Sequence, residues 1–197
     1  MAIHPPRKRA TPRPEARPAW VSRYHGARMT EEEYLSLPEE KPYLEYVYGV
    51  VLQKPMGSAD HRNLTGEITT ELGLYRRQHG GSSGPEGRVR LAADVGYFLP
   101  DTAYWAPGRP SGDDAVPTLA VEVRSPDQTM AAQRRKCRDF RASGVGLCWL
   151  VDPISRSVEV FEGDVDAVRL APDAALESPL LPGFLLPLAA LFAVLDS

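Results

Sequence analysis

Three ionisable residues in the middle of the chain have the types and setting that metal-assisted hydrolysis of a phosphodiester bond requires. Asp101 follows Pro100 at the start of a short apolar run, Glu122 interrupts the apolar run 117–123, and Lys136 lies in a helical pattern. Two carboxylates on neighbouring strands can hold a hard divalent cation, and a nearby lysine can stabilise an anion beside it. The chemical hypothesis depends on whether these three side chains meet.

Glu122 has the least favourable predicted environment in the chain. Its neighbours in the predicted strand 118–123 are apolar, and a strand in a crossover unit is covered on both faces. A buried carboxylate without a partner costs several kcal/mol, so it needs a cation or a hydrogen-bond donor. A salt bridge to Arg124 or Arg135 would satisfy it structurally, and a metal ion is the functional alternative.

Asp101 is a candidate metal ligand because its strand is expected to pair with that of Glu122. A Pro-Asp pair at the start of a strand is often only a turn. Sequential strands are usually neighbours, however, so Asp101 and Glu122 can converge at one end of the sheet. Two carboxylate ligands, completed by water and a substrate phosphate, suit Mg²⁺ or Mn²⁺.

Lys136 and two further residues can join this pair. Lys136 lies four residues before Phe140, so the two share a helix face. Since Phe140 is expected to face the sheet, Lys136 should lean towards Glu122, although a surface lysine with a buried stem is the alternative. Glu45 lies on a strand near a predicted hairpin and could be a third carboxylate, although by itself it is expected to be solvated. His61, at the start of a helix, is either a packed residue or an acid–base group.

The elements that position these residues follow from periodicity and turn signals. Thr30 and Glu33 have the pattern of a capping box that opens a short helix, and Gly80–Pro85 is expected to break the chain. The order predicts a mixed α/β sheet flanked by helices, with 118–152 as a parallel strand–helix–strand crossover. The predicted elements are a hairpin (43–47 and 50–52), helices at 60–78 and 129–143, and strands at 87–91, 95–99, 102–106, 118–123, 146–152, 158–162 and 168–171.

Composition limits the class of protein. The 197 residues favour one domain, expected at 25–197, and 43% hydrophobic residues are enough for a sizeable core. The net charge of −3 excludes polyanion binding by bulk charge. Residues 1–24 are rich in proline and basic residues and predict a poorly ordered tail. Cys137 and Cys148 are expected to be buried and reduced.

No segment predicts insertion into a membrane. The first residues lack the apolar stretch of a signal peptide. The apolar run 180–195 is interrupted by Pro182, Gly183 and Pro187 and is shorter than the ~20 residues that span a bilayer. We therefore expect this run to pack on the domain and the protein to be cytoplasmic, with no membrane partner.

From about Met29 to Phe192 the chain resembles a known family, and the resemblance rests on an ordered set of short segments. Each segment is weak alone, but their order along the chain is specific. The segments are Met29–Pro38, Tyr43–Val51, Asp60-His61, Leu99-Pro100-Asp101, Val121–Pro126, Lys136 with Phe140, Gly144–Pro153 and Leu181–Leu188. They resemble the Uma-two family of restriction endonucleases, which is similar to the PD-(D/E)xK nuclease superfamily.

The resemblance implies a restriction-endonuclease-like mixed sheet flanked by helices, with an extra N-terminal hairpin and C-terminal strands. It implies that Asp101 and Glu122 are ligands of Mg²⁺ or Mn²⁺ and that Lys136 is the catalytic lysine, moved from a strand to a helix. Glu45 and His61 would be accessory residues of the site. The implied activity is metal-dependent cleavage of nucleic acid, with DNA as the expected substrate and a homodimer as the expected assembly.

Two departures from the family pattern keep an alternative open. Tyr48 stands where the family hairpin usually has an aspartate, and Arg124 occupies the lysine position of the plain Glu-x-Lys motif. A nuclease fold that has lost catalysis and binds nucleic acid or protein is therefore the second hypothesis. A structural protein whose buried carboxylate is only ion-paired is the third.

Overall fold

The computed structural model describes residues 18–111, 115–163 and 166–196. The helices in these ranges are α1 (Glu31–Leu35), α2 (Ala59–His79), α3 (Met130–Ala142) and α4 (Leu188–Ala193). The strands are β1 (Leu44–Val47), β2 (Val50–Gln53), β3 (Ser82–Pro85), β4 (Val89–Arg90), β5 (Gly96–Phe98), β6 (Thr102–Trp105), β7 (Leu119–Val123), β8 (Leu147–Asp152), β9 (Ser157–Glu162), β10 (Val168–Arg169), β11 (Ala175–Leu176) and β12 (Leu186–Pro187).

A six-stranded sheet forms the centre of the fold, in the order β10-β9-β8-β7-β6-β3. Its central strands β7 and β8 are parallel and are joined through α3, whereas the other pairs are antiparallel. The predicted parallel crossover and the mixed sheet are therefore confirmed. The antiparallel pairing of β6 with β7 places the residue before β6, Asp101, beside the end of β7.

Helices cover both faces of this sheet. Side chains alternate between the two faces of a strand, so odd-numbered and even-numbered residues pack on different helices. Odd-numbered residues of β7 and β8 pack with α2 and the C-terminal segment that contains α4. Even-numbered residues pack with α3 and the strands β4 and β5, and the free thiols of Cys137 and Cys148 are buried there. Glu122 is even-numbered, so it faces α3.

A second, four-stranded sheet has the order β2-β1-β5-β4. Its hairpin β1–β2 turns at Tyr48 and Gly49, which have φ values of 51° and 77°. Left-handed conformations at both central positions match the right-handed twist of paired strands. Tyr34, Leu44, Val51 and Tyr97 pack on one face of this sheet. Glu45, on the opposite face of β1, is directed towards α3.

The structure differs from the prediction mainly at weakly patterned segments. The stretch expected to break the chain, Gly80–Pro85, contains β3, which pairs with β6 as an edge strand. Ser-Ser-Gly-Pro has low strand propensity, so only the partner strand reveals it. The C-terminal run packs on the core as expected and includes the short β12 and α4. None of the described helices has an apolar stretch long enough to cross a membrane.

The proposed N-terminal tail falls into two parts. Residues 1–17 lie outside the described residues. Residues 18–24 lie beside β2, where the backbone N–H of Ser22 donates to Oε1 of Gln53 at 2.6 Å. The following residues continue this contact, because Gly26 N donates to the carbonyl of Val51 at 2.8 Å.

Candidate active site

Backbone pairing fixes the carboxylate of Asp101 beside the end of β7. The Asp101 N–H donates to the carbonyl of Val121 at 2.9 Å. In return, the N–H of Val123 donates to Oδ2 of Asp101 at 2.7 Å. Glu122 lies between these two β7 residues, so the antiparallel pairing brings both carboxylates to one place, as the strand order predicts.

Two side chains, Lys54 and His61, contact the carboxylate oxygens of Asp101. Nζ of Lys54 lies 2.9 Å from Oδ1, and Nε2 of His61 lies 3.1 Å from Oδ2. Lys54 also donates to the carbonyl of Leu99 at 2.8 Å. Burial raises the pKa of Asp101, but Lys54 and His61 outweigh it and hold the pKa of this carboxyl below its ordinary value. Asp101 is therefore an ionised carboxylate with both oxygens engaged.

Lys136 connects the other two carboxylates of the site. Its Nζ lies 2.7 Å from Oε1 of Glu45 and 2.9 Å from Oε1 of Glu122. The ammonium also lies 5.0 Å from the ring centroid of Phe98 and 6.0 Å from that of Phe140. The side chain is thus held between the two sheets by ionic and cation–π contacts.

The charges of Glu122 and Lys136 depend on each other. Burial raises the pKa of Glu122 to about 7, and the carboxylates of Asp101 and Glu45 act in the same direction against Lys136. Although burial lowers the pKa of Lys136, Glu122, Glu45 and Asp101 raise it above its usual range. Oε1 of Glu122 is buried and, among the described residues, has the Lys136 ion pair but no hydrogen bond of good geometry.

Leu99 joins the two halves of the site through its backbone. Its N–H donates to Oε1 of Glu45 at 2.9 Å, and its carbonyl accepts from Lys54. Glu45 is only 7% exposed, so the expectation that it is solvated is wrong. The physical reason is that the second sheet packs against α3 and buries this face of β1.

His61 is positioned by the start of α2. The Ser58 hydroxyl caps the helix and accepts from the backbone N–H of His61 at 3.2 Å. The imidazole lies directly against Gly57: a Cβ atom there would overlap Nδ1 and lie 2.8 Å from Cγ. Only a glycine therefore leaves room for the ring in the orientation that directs Nε2 at Asp101.

A cleft of about 710 Å³ opens onto Asp101, Lys54 and His61. One wall is formed by α2 and the other by the segment 41–43 and the residues that follow β2. Lys41 and Arg62 also line this cleft. It is the route by which a ligand would reach the Asp101 side of the site.

The five residues singled out in the sequence form one cluster: Asp101, Glu122, Lys136, His61 and Glu45. The two arginines that were the alternative partners of Glu122 have other partners. Arg124, one alternative partner of Glu122, instead pairs with Asp152 at 2.8 Å. Arg135, the other, lies over the ring of Tyr48 at 4.9 Å. Arg134, which precedes Arg135 on α3, forms two hydrogen bonds with Glu159.

Lys54 is the residue of this cluster that the sequence did not reveal. It directly follows β2 and precedes Pro55, a position typical of an exposed turn lysine. Its side chain is nevertheless only 10% exposed, because the ammonium reaches Asp101 across the second sheet. The short motif Gln-Lys-Pro contains no signal for this contact, since the partner lies 47 residues further along the chain.

Asp101 and Glu122 are the residues that could hold a divalent cation. Both supply carboxylate oxygens, the donors that Mg²⁺ and Mn²⁺ prefer, and the buried Oε1 of Glu122 has spare accepting capacity. Within the described ranges, no group of three or more His, Cys, Asp or Glu side chains is arranged to hold a metal ion. The residues fit a cation that takes its remaining ligands from water or a substrate phosphate.

A mixed sheet with helices on both faces is the architecture of restriction-endonuclease-like proteins, and the comparisons agree. Residues 31–189 match the Uma2 family, described as "Putative restriction endonuclease", and the chain belongs to this family. It is similar to the crystal structure of a putative nuclease belonging to DUF820 from Anabaena variabilis ATCC 29413, with 26% sequence identity and a TM-score of 0.75. That match covers 85% of this chain and 99% of the other. A comparison with curated proteins gave no match.

Proposed function

We propose that the protein is a metal-dependent nuclease that hydrolyses phosphodiester bonds of DNA at the cluster of Asp101, Glu122 and Lys136. The observation that supports this most directly is the meeting of two buried carboxylates and a lysine from β7, α3 and the residue before β6. Membership of the Uma2 family supports the same reaction class. The homodimer expected from the resemblance stays a prediction.

The proposed cation is Mg²⁺ or Mn²⁺, held by Asp101 and Glu122. When bound there, it would polarise the phosphate and lower the pKa of a water molecule. In the hydrolysis the water oxygen forms a bond to phosphorus while the bond from phosphorus to the leaving oxygen breaks. The water loses a proton, and the leaving oxygen takes one up.

The side chains of the protein contribute charge and proton positions to this reaction. Lys136, kept protonated by its carboxylate partners, supplies positive charge beside the negative charge that develops on the phosphate. Lys54 and the Val123 N–H orient Asp101. His61 lies against Asp101 and lines the cleft, where its imidazole can hold a phosphate oxygen or exchange a proton with the leaving group.

Isosteric substitutions test the proposal. Asp101→Asn and Glu122→Gln should each lower Mn²⁺-dependent cleavage of a labelled oligonucleotide by about 100-fold or more, because each removes a ligand charge. Glu177→Gln, at an exposed position, is the matched control and should keep the wild-type rate. The circular dichroism spectra of all variants should match. Cleavage at the wild-type rate in either site variant would contradict the assignment.

A decayed nuclease core that only binds is the second candidate, and one contact favours it. Lys54 forms an ion pair with Oδ1 of Asp101, an oxygen that a metal ion would need as a ligand. Calorimetric titration of the wild-type protein with Mn²⁺ separates the two candidates. Binding that is lost in Glu122→Gln supports the enzyme, whereas absence of binding together with retained affinity for nucleic acid supports the decayed core.

A further inference from the structure

Asp101 and Lys54 lie at the floor of the cleft, where Asp101 is 3% exposed and Lys54 8%. Glu122 lies beside Asp101, outside the lining of the cleft, and is 2% exposed. The cleft above them has a volume of about 710 Å³, within the range of about 300–1,000 Å³ that is common for small-molecule sites. A phosphate must therefore enter the cleft together with its neighbouring sugar and base to approach Asp101.

This volume selects against an intact duplex. In a duplex, each phosphate is attached to a stack of paired bases, and the stack is far larger than a small-molecule site. One strand that has left the stack presents a single nucleotide at a time, which is why enzymes that act in narrow pockets use single strands or extruded nucleotides. The recessed floor thus favours an unpaired strand.

The walls of the cleft have the chemistry that such a strand would meet. Tyr43, Pro55 and Met56 provide an aromatic ring and apolar surface, and Met56 is 74% exposed. Proteins that bind single strands combine surfaces of this kind, on which bases stack, with a basic groove that follows the phosphates. Lys41 lies 5.3 Å from the ring centroid of Tyr43, so cation and ring are adjacent here.

Charge in the cleft also suits a phosphate backbone. Lys41 and Arg62 line the cleft above the floor residues Lys54 and His61. Glu86 and Asp101 are the acidic residues of the lining, and Asp101 is already compensated by Lys54 and His61. The cleft therefore offers positive charge to an anion although the whole chain has a net charge of −3.

We propose that this cleft accepts a single unpaired strand of nucleic acid, so that the protein acts on single-stranded segments or frayed ends rather than on intact duplex. The inference rests on the proposed function, because it assigns the substrate form to the same site. The strand would lie with one phosphate towards Lys54 and His61 and the adjoining base against the wall formed by Tyr43, Pro55 and Met56.

Two glycines of α2 provide a matched pair of variants. Gly66 lines the cleft, whereas Gly73, on the same helix, does not. A Cβ atom at either position would meet nothing within 4 Å, and leucine has a higher helix propensity than glycine. Gly66→Leu should therefore narrow the cleft without disturbing the helix, and Gly73→Leu should be a control of equal chemistry.

The test is fluorescence anisotropy at low salt with one labelled DNA sequence, presented as a single strand and as a blunt duplex. We expect the single strand to bind at least about tenfold more tightly than the duplex, and Gly66→Leu to weaken single-strand binding by about tenfold, as loss of one stacked base would. Gly73→Leu should bind as the wild type does.

The outcomes separate the inference from the function on which it rests. The single-strand inference would be overturned if the duplex bound as tightly as the single strand or more tightly, or if the two leucine variants bound the single strand equally. Nuclease activity on duplex DNA would in that case leave the proposed function intact. If the wild-type protein neither bound nor cut DNA in either form, both would be overturned. Melting temperatures of both variants verify that each is folded.

Discussion

The two carboxylates at the centre of the site are neighbours across β6 and β7, yet their environments are opposite. Asp101 accepts from the Val123 N–H and is in contact with Lys54 and His61, so its pKa lies below the ordinary value. Glu122 shares one cation, Lys136, with Glu45, and its pKa is raised to about 7. Both are almost fully buried.

The difference shows that burial alone does not decide the charge of a carboxylate. Desolvation acts on both groups in the same direction. The number of donors that each oxygen receives decides the result: Asp101 is preorganised as an anion, whereas Glu122 has capacity for another cation. For the proposed reaction, a metal ion would therefore gain the most electrostatic stabilisation from Glu122. At Asp101 it must compete with Lys54 for a carboxylate oxygen. We call these the Glu122 half and the Asp101 half of the site.

The largest expected effect comes from removing the cation on the Glu122 side. Lys136→Met would leave Glu45 and Glu122 buried without their shared ion pair, and breaking a buried pair costs about 3–5 kcal/mol. Lys54→Met should cost less, about 1–2 kcal/mol, because Asp101 keeps its bonds to His61 and the Val123 N–H. Urea denaturation of both variants at neutral pH measures the two losses in free energy of unfolding.

This comparison of variants has an internal control. The methionine side chain is similar in length to the lysine that it replaces in each variant, so changes in packing are small relative to the loss of charge. Equal losses, or a larger loss for Lys54→Met, would mean that the two halves do not differ in the way their contacts indicate.

The second effect concerns metal affinity. Lys54 holds Oδ1 of Asp101 at 2.9 Å, so Lys54→Met should free this oxygen and remove a positive charge from the site. We expect the Mn²⁺ association constant, measured by calorimetry, to rise by about tenfold, which corresponds to about 1.4 kcal/mol and is modest for one charge at contact distance. Lys41→Met, at an exposed position on the cleft, is the control. Unchanged or weaker binding in Lys54→Met would show that Lys54 supports the metal site instead of opposing it.

The parts of the site that the sequence predicted are those that depend on local periodicity and adjacent elements. Asp101 meets Glu122 because consecutive strands pair, and Lys136 faces Glu122 because it shares a helix face with Phe140. The crossover from β7 through α3 to β8 has strong apolar patterns at both strands. These contacts follow from rules that hold within about one supersecondary unit.

The contacts that local patterns do not indicate depend on the meeting of two sheets. Lys54 and Glu45 both belong to the hairpin region, and Glu45 is placed at the site by the family resemblance. The backbone of Leu99 lies between the two side chains and bonds to both. Neither has a local pattern that distinguishes it from a solvated residue. The strand β3 has no sequence signal for a similar reason, since its pairing with β6 is specified by the partner and not by its own side chains.

The last expected effect is on the pH dependence of stability. The pKa of Glu122 is about 7 in the folded protein against an ordinary value of 4.5, so between these values the native state binds more protons than the unfolded chain. The stability that the neutral carboxyl provides is therefore complete below about pH 4.5 and is lost as the pH rises through about 7. Asp101, with its lowered pKa, acts in a separate window, because its contribution is lost only as the pH falls below its ordinary value of 3.8.

Glutamine resembles the neutral carboxyl, so Glu122→Gln should lose less stability than the wild type between pH 4.5 and pH 7. Urea denaturation across this window measures the difference, and the exposed Glu177→Gln should follow the wild-type curve. The free energy of unfolding of Glu122→Gln and of the wild type could instead show the same slope against pH. Glu122 would then be ionised throughout the window, because the attraction of Lys136 would outweigh the effect of burial on its pKa. The two carboxylates would then differ in their partners but not in their charge, and the preference of an added cation for the Glu122 half would have no electrostatic basis.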